Sequence, residues 1–255
     1  MNKNCGVLFD LDGVFYISNQ AIDGGQKAIS LLRKNDIPIR FLTNTTTKPR
    51  NVICDKLNKF GLEVYENEIF SASYIGINYL RSIGSPLCHL LIHENIYSDY
   101  AEFEMKNKKP EYVVIGDRGH VWNYDDMNQA FNYLKEGAKL IALHKGRFFQ
   151  TSDSLEIDIG AFVAGLEYSS GKQAISLGKP NPHFFQVALD DMSRKSEEVF
   201  MVGDDIVNDI WGAKNLGIKG VLVRTGKYRN SDLFHPNIKP DFVIDSINNL
   251  EAVFQ

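Results

Sequence analysis

The segment GVLFDLDGVFYISNQ, from Gly6 to Gln20, ends a short apolar run with two carboxylates, Asp10 and Asp12, and then turns at Gly13. Side chains at positions i and i+2 of a strand point to the same side of a sheet, so Asp10 and Asp12 are expected to face each other. Two carboxylates held that close repel unless one is protonated or a cation joins them. A surface turn is the alternative, because Asp and Gly are common turn residues.

Short apolar segments alternate with helical patterns along most of the chain, which indicates a parallel α/β fold. We expect a Rossmann-like parallel-sheet core and a second, smaller α/β series. The segments expected to form strands are CGVLFD (5–10), IPIRFLTN (37–44), CHLLIH (88–93), EYVVIG (111–116), AKLIALH (138–144), EVFMVGD (198–204), GVLVRTG (220–226) and DFVID (241–245).

Apolar periodicity and capping residues predict helices between these strands. Thr47 or Lys48 is expected to begin one helix, with Pro49 in its first turn and Gly61 at its end. The other helices are expected around Ala28, Ile29 and Leu32, near residues 95–105 and 123–136, after Asn181-Pro182, around Ile206, Ile210 and Ala213, and after Ser246.

Polar residues that suit a binding site stand where the predicted strands end, and ligands of open α/β sheets bind beyond those ends. They are Asp10 and Asp12, Thr43 and Asn44, Lys179, and the group of Asp204, Asp205 and Asp209. Each has an alternative of its own: an ordinary strand end, a surface lysine, or acids that cap a helix. Their recurrence at four strand ends or loops favours a common site.

Four motifs in order, D-x-D-G at Asp10, T-N at Thr43, G-K-P at Lys179 and G-D-D-x-x-x-D at Asp204, resemble those of the haloacid dehalogenase superfamily. The long α/β insert between the second and third motifs resembles the C2-type cap of subfamily IIA. The resemblance implies a hydrolase core formed by residues 1–79 and 179–255. It also implies that residues 80–178 form the cap domain.

The resemblance assigns roles to the motif residues. Asp10 would be the nucleophile that forms an aspartyl-phosphate, and Asp12 the general acid and base. Thr43 and Asn44 would hold the phosphoryl oxygens, and Lys179 would stabilise charge on the phosphate and on Asp10.

The same resemblance implies a Mg²⁺ cofactor. Asp10, the backbone carbonyl of Asp12, and Asp204 would bind the cation, since Mg²⁺ prefers oxygen ligands. Asp209 would orient a metal-bound water or Lys179, and Asp205 would either contact the metal site from outside or face solvent.

The expected function is therefore magnesium-dependent hydrolysis of a small phosphorylated compound: a phosphate monoester, a phosphoramidate or pyrophosphate. A phosphotransferase or phosphomutase on the same scaffold is one alternative. A phospho-receiver signalling module, which also places acids, Thr and Lys at strand ends, is another. The cap loops 116–124 and 144–154 are expected to select the substrate.

Bulk properties restrict the partners and the location. The formal charge of −4 over 255 residues gives no electrostatic reason to expect nucleic acid or a membrane surface as a partner. The three cysteines are scattered and show no metal-binding spacing, which suits a reducing compartment. We expect a cytoplasmic protein. The sequence leaves the oligomeric state open, with a homodimer as one alternative, since relatives with this cap type often form one.

Overall fold

The computed structural model describes residues 5–105, 108–150 and 154–254. The chain divides into two compact units. The first comprises Met1–Thr43, Arg50–Phe70 and Lys179–Gln255, and the second comprises Asn44–Pro49 and Ser71–Gly178.

The described residues contain strands and helices in alternation. The strands are β1 (Gly6–Asp10), β2 (Tyr16–Ile17), β3 (Gln20–Ala21), β4 (Ile39–Thr43), β5 (Ile69–Ser71), β6 (Cys88–Leu91), β7 (Tyr112–Ile115), β8 (Lys139–Ala142), β9 (Phe148–Gln150), β10 (Leu155–Ile157), β11 (Ile175–Ser176), β12 (Val199–Gly203), β13 (Lys219–Val223) and β14 (Phe242–Ile244). The α-helices are α1 (Gly25–Lys34), α2 (Arg50–Lys59), α3 (Ala72–Ser82), α4 (Tyr124–Lys135), α5 (Gly160–Ser170), α6 (Pro182–Met192) and α7 (Gly212–Lys214).

The first unit is built on a six-stranded sheet in the order β14-β13-β12-β1-β4-β5. The neighbours of β1, which are β12 and β4, both run parallel to it. Every residue of β1 is buried, as expected of a central strand covered on both faces. The predicted parallel α/β fold is confirmed.

Aromatic packing fixes β1 and the turn that follows it. The rings of Phe9 and Phe15 lie 5.2 Å apart, and each also contacts Phe41 of β4, at 5.9 Å and 5.6 Å respectively. All three side chains are buried. The segment after Asp10 is therefore held by the core on its apolar side, which fixes the position of the acids at the strand end.

The second unit has its own parallel sheet, in the order β11-β8-β7-β6. Helices α4 and α5 contribute Leu134 and Leu166 to its hydrophobic core, together with Val113 of β7. The segments predicted as strands here do form strands. The unit includes the connecting residues Asn44–Pro49 and starts again at Ser71.

Some helices differ from expectation. Helix α2 begins at Arg50, not at Thr47 or Lys48, because the residue before a proline is disfavoured in helical conformation. Near residues 95–105 the chain forms a 3₁₀-helix, Glu94–Phe103. Ile206–Trp211 forms a wider π-helical turn before α7. In the described part of the chain, no helix has the length and apolar character needed to cross a membrane.

Candidate active site

The carboxyl edge of the first unit's sheet brings together segments that are distant in sequence. β1 ends at Asp10, β4 ends at Thr43, and Asp204 directly follows β12. In the sheet β1 lies between these two strands, with Asp10 in register with Leu42. After β1 the chain continues to β4 on one side of that strand, and later forms β12 on its other side. Open α/β sheets bind ligands at such a switch point.

Lys179 is a buried lysine that links two acids of this edge. Its ammonium donates to Asp10 Oδ1 at 2.6 Å, to Asp209 Oδ1 at 2.7 Å and to the carbonyl of Leu42 at 3.1 Å. Burial lowers the pKa of Lys179, but the charges of Asp10 and Asp209 outweigh burial and raise the pKa above its usual value. Lys179 therefore carries a positive charge inside the protein.

Asp204 presents one bound and one unbound oxygen. Its Oδ2 accepts a hydrogen bond from the backbone N–H of Lys227 at 2.6 Å. Its Oδ1 is buried, and no donor among residues 5–105, 108–150 and 154–254 reaches it. Burial, followed by repulsion from Asp10 and Asp209, raises the pKa of Asp204 well above its usual value. A buried acceptor without a partner is costly, so it points to a ligand.

Asp209 lies one turn further along the chain and holds Lys179. Its Oδ1 accepts from Lys179, and its Oδ2 accepts from the backbone N–H of Asp205 at 3.1 Å. Burial raises the pKa of Asp209 to about 7, with a contribution from Asp10 and against the opposing effect of Lys179. Both oxygens are already engaged, so the contacts of Asp209 suit a residue that orients Lys179.

The acids are close enough to share a cation. One carboxylate oxygen from each of Asp10, Asp204 and Asp209 lies within 4.8 Å of the others. Oxygen donors of this kind suit a hard divalent cation such as Mg²⁺. The unpartnered Asp204 Oδ1 is the atom in this group that a cation would satisfy. The residues therefore fit the predicted metal.

Asp12 lies outside the buried cluster. β1 ends at Asp10, and Asp12 lies in the turn that follows, with an exposed side chain. The turn is closed by Gly13, whose N–H donates to the carbonyl of Tyr16 at 2.7 Å. Burial raises the pKa of the Tyr16 hydroxyl, and the charges of Asp12 and Asp10 raise it further.

Thr43 and Asn44 are adjacent in sequence but belong to different units. Thr43 is buried at the end of β4 in the first unit. Asn44 belongs to the second unit, where a Cβ placed on Gly178 would lie 2.8 Å from Asn44 Oδ1. The first and last residues of the second unit therefore lie side by side within it.

Asp205 caps the π-helical turn, which was the alternative interpretation for the acids at this strand end. Its Oδ1 accepts from the N–H groups of Val207 and Asn208 at 3.0 Å and 2.9 Å. Burial opposes ionisation, but Lys227 and these hydrogen bonds together lower the pKa of Asp205. Its carboxylate thus stabilises the turn that carries Asp209.

Sequence reasoning missed the segment Thr225–Lys227. It follows β13, one strand further from β1 than β12, and reaches Asp204 through the Lys227 N–H. The available signal was weak: Thr225 and Gly226 end a predicted strand, GVLVRTG, and Lys227 follows it. Without the sheet order, nothing in the pattern places these residues beside Asp204.

Two family models match separate parts of the chain. The model described as haloacid dehalogenase-like hydrolase matches residues 7–106. The one described as HAD-hydrolase-like matches residues 176–250. Together they include the segments that carry Asp10, Thr43, Lys179 and Asp204.

Curated relatives match over nearly the whole length. Phospholysine phosphohistidine inorganic pyrophosphate phosphatase from Xenopus laevis is 38% identical over 248 residues, which is 94% of this chain and 91% of that protein. Haloacid dehalogenase-like hydrolase domain-containing protein 2 from Mus musculus is 36% identical over 241 residues, covering 94% of this chain and 92% of that protein.

Solved structures share the fold. The 4-nitrophenylphosphatase from Thermotoga maritima superimposes with a TM-score of 0.91 at 26% identity, covering 99% of this chain and 98% of that one. The p-nitrophenyl phosphatase from Archaeoglobus fulgidus has a TM-score of 0.91 at 26% identity, with 98% and 99% covered.

Proposed function

We propose a specific reaction for this chain, which belongs to the haloacid dehalogenase-like hydrolases and is a phosphatase of that family. It hydrolyses a small phosphorylated compound in a magnesium-dependent reaction, through an aspartyl-phosphate on Asp10. One observation carries the proposal. Lys179 is buried and binds Asp10 at 2.6 Å, and Asp10 belongs to a cluster of three carboxylates with Asp204 and Asp209. In that cluster, Oδ1 of Asp204 has no partner among the described residues.

Asp10 and Asp12 divide the chemical work. A carboxylate oxygen of Asp10 forms a bond to phosphorus as the bond to the leaving atom breaks, and the leaving atom takes its proton from Asp12. Asp12, now ionised, removes a proton from a water molecule whose oxygen attacks the phosphorus. The bond between Asp10 and phosphorus then breaks and phosphate is released. The exposure of Asp12 allows it to exchange protons with solvent.

The remaining residues supply position and charge. Lys179 orients Asp10 and adds positive charge where the phosphoryl oxygens become more negative. Thr43 and Asn44 would bind those oxygens. Asp10, the backbone carbonyl of Asp12, and Asp204 would hold Mg²⁺, which when bound neutralises charge on the phosphoryl group. Asp209 would position Lys179, and Asp205 would hold the turn beneath it.

The substrate class follows from the relatives. One is named for phospholysine, phosphohistidine and pyrophosphate, and others are named for 4-nitrophenyl phosphate. We therefore propose phosphoramidates, pyrophosphate and phosphate monoesters as candidates, selected by a cap domain of residues 80–178. In the selecting loop 144–154, residues 151–153 lie outside the described part of the chain. Exchange of loop 116–124 should change substrate preference and leave the magnesium dependence unchanged.

Hydrolysis of 4-nitrophenyl phosphate, followed while Mg²⁺ is titrated, tests the proposed function. Asp10→Asn should reduce the rate to background, and Asp12→Asn should reduce it about 10² to 10⁴-fold, since a general acid or base contributes that much. Asp55→Asn, which removes an exposed carboxylate from α2, is the matched control. Full activity of Asp10→Asn would exclude Asp10 as the nucleophile.

Product analysis separates the rival functions. A hydrolase releases inorganic phosphate in the presence of an alcohol or sugar acceptor, whereas a phosphotransferase or phosphomutase yields the phosphorylated acceptor. A phospho-receiver would accumulate a stable aspartyl-phosphate without turnover. Cytoplasmic location and homodimer formation are further predictions, checked by cell fractionation and by light scattering of the purified protein.

A further inference from the structure

The segment after β13 lies directly against the candidate metal ligand Asp204. The Lys227 N–H donates to Asp204 Oδ2 at 2.6 Å, although the two residues are 23 positions apart. Two residues earlier, the hydroxyl of Thr225 donates to the carbonyl of Gly13, in the turn that follows β1. Thr225–Lys227 therefore ties the strand ends of β1 and β12 together.

Two glycines enclose the same carboxylate oxygen. A Cβ on Gly226 would lie 2.0 Å from Asp204 Oδ2 and 2.5 Å from the Cα of Gly13. A Cβ on Gly13 would lie 1.9 Å from the same oxygen. Both glycines have positive φ angles, of +60° and +81°, which side chains rarely adopt. Backbone on two sides thus fixes the Asp204 carboxylate, and only glycine allows the approach.

This enclosure decides which oxygen is available. Rotation about the last side-chain bond of an aspartate is otherwise soft, so a free carboxylate presents either oxygen. Here Oδ2 is bound by the Lys227 N–H and flanked by both glycines, while Oδ1 is buried with no partner in the described ranges. The segment leaves Oδ1 as the oxygen presented to a ligand.

We propose that Thr225–Lys227 is a positioning segment that orients Asp204 so that Oδ1 binds the divalent cation, an inference that rests on the proposed magnesium site. The Thr225 hydroxyl holds the Gly13 turn in place, Gly226 permits the close approach, and the Lys227 N–H occupies Oδ2. Contacts that orient a ligand typically change metal affinity by about 10 to 100-fold.

The test is the Mg²⁺ dissociation constant of the full-length, substrate-free protein, measured by titration calorimetry. Thr225→Val and Gly226→Ala should weaken binding about 10 to 100-fold. Thr225→Ser keeps the hydroxyl and should restore the wild-type constant. Arg224→Ala, which alters an exposed neighbour paired with Asp245, is the matched control. Phosphatase activity of Thr225→Val should recover when Mg²⁺ is raised, because the defect is in metal binding.

Wild-type affinity in Thr225→Val, or equal weakening in Thr225→Val and Thr225→Ser, would overturn the inference. If Gly226→Ala fails to fold, the Val and Ser pair at position 225 still decides it. Failure of the proposed function gives a different pattern: the wild-type protein itself binds no Mg²⁺, or Asp10→Asn still turns over.

Discussion

Both units of the protein are parallel α/β folds, but they bury different polar groups. The buried acids and the buried lysine among the described residues all lie in the first unit: Asp10, Glu68, Lys179, Asp204 and Asp209. The buried polar residues described in the second unit carry hydroxyl groups or an imidazole: Thr46, Ser71, Ser73, Ser170 and His144. The same architecture is thus stable without buried charge, which is costly to desolvate.

The first unit also shows that a buried charge alone does not mark a site. Glu68 is held by Arg33 through two hydrogen bonds, of 2.9 Å and 2.8 Å, so both of its oxygens are satisfied. Asp204 keeps a buried oxygen without a partner in the described chain. In the Glu68–Arg33 pair the buried atom without a partner in the described chain is the Arg33 Nε donor, whereas at the candidate site it is a carboxylate oxygen, which a cation can satisfy.

The largest contrast is expected for a pair of lysines, one from each unit. Lys179→Met leaves Asp10 and Asp209 without their cation, which should cost about 3 to 5 kcal/mol of unfolding free energy and abolish activity. Lys172→Met in the second unit removes one hydrogen bond to the carbonyl of Ala138, which should cost about 1 kcal/mol and leave activity unchanged. Urea denaturation and the phosphatase assay measure both. Equal effects of the two substitutions would remove the distinction between the units.

A smaller effect is expected from Asp204→Asn when stability is measured against pH. Burial and the charges of Asp10 and Asp209 raise the pKa of Asp204, so without a divalent cation the folded protein retains a proton that the unfolded chain loses near about pH 4. The free energy of unfolding therefore falls as pH rises from that value toward neutrality. Asp204→Asn lacks this titrating carboxyl group. In EDTA, the free energy of unfolding of the variant should therefore increase with pH relative to that of the wild-type protein.

Added Mg²⁺ provides the control for this measurement. The cation binds the ionised carboxylates of the wild-type protein and should stabilise it over Asp204→Asn, as any ligand of the folded state does. A difference between the two proteins that does not change with pH in EDTA would contradict the raised pKa of Asp204, and a difference that Mg²⁺ leaves unaltered would contradict the metal site.

The smallest effect is expected for a histidine of the second unit. Here stability falls as the pH drops, whereas for Asp204 it falls as the pH rises. Burial lowers the pKa of His89, whose Nε2 has no hydrogen-bond partner in the described residues. The unfolded chain therefore binds a proton below about pH 6.5 that the folded protein excludes, and stability falls as the pH drops through that value. His89→Phe keeps a ring beside Tyr133 and should lose this acid sensitivity. Calorimetric unfolding at several pH values checks it, and an unchanged acid sensitivity in the variant would contradict it.

Features with a local signal were predictable from sequence. The buried β1, the cap at Asn181 and the end of α4 before Gly137 follow from apolar period, capping residues and glycine. The rule that ligands bind at carboxyl ends then brought Asp10, Lys179 and Asp204 into one hypothesis. These residues were identified because each stands beside its own strand or motif.

Features that depend on distant contacts were not predictable. The N–H of Lys227 meets Asp204 only because β13 lies beside β12, and a linear pattern does not show that order. The π-helical turn at Ile206–Trp211 accompanies the bond from the Asp205 N–H to Asp209, within a helical apolar pattern that predicts an ordinary helix. The strand was expected to continue to Asp12, but it ends at Asp10, and Asp12 lies in the turn that follows.

A crystal structure of the protein with Mg²⁺ and beryllium trifluoride, a mimic of a phosphoryl group, would show whether Asp10 is the nucleophile and whether Asp10 and Asp204 bind the cation. We expect the mimic bonded to a carboxylate oxygen of Asp10, with Mg²⁺ at about 2.0 to 2.1 Å from oxygens of Asp10 and Asp204. A cation bound elsewhere, or a mimic that does not contact Asp10, would contradict it.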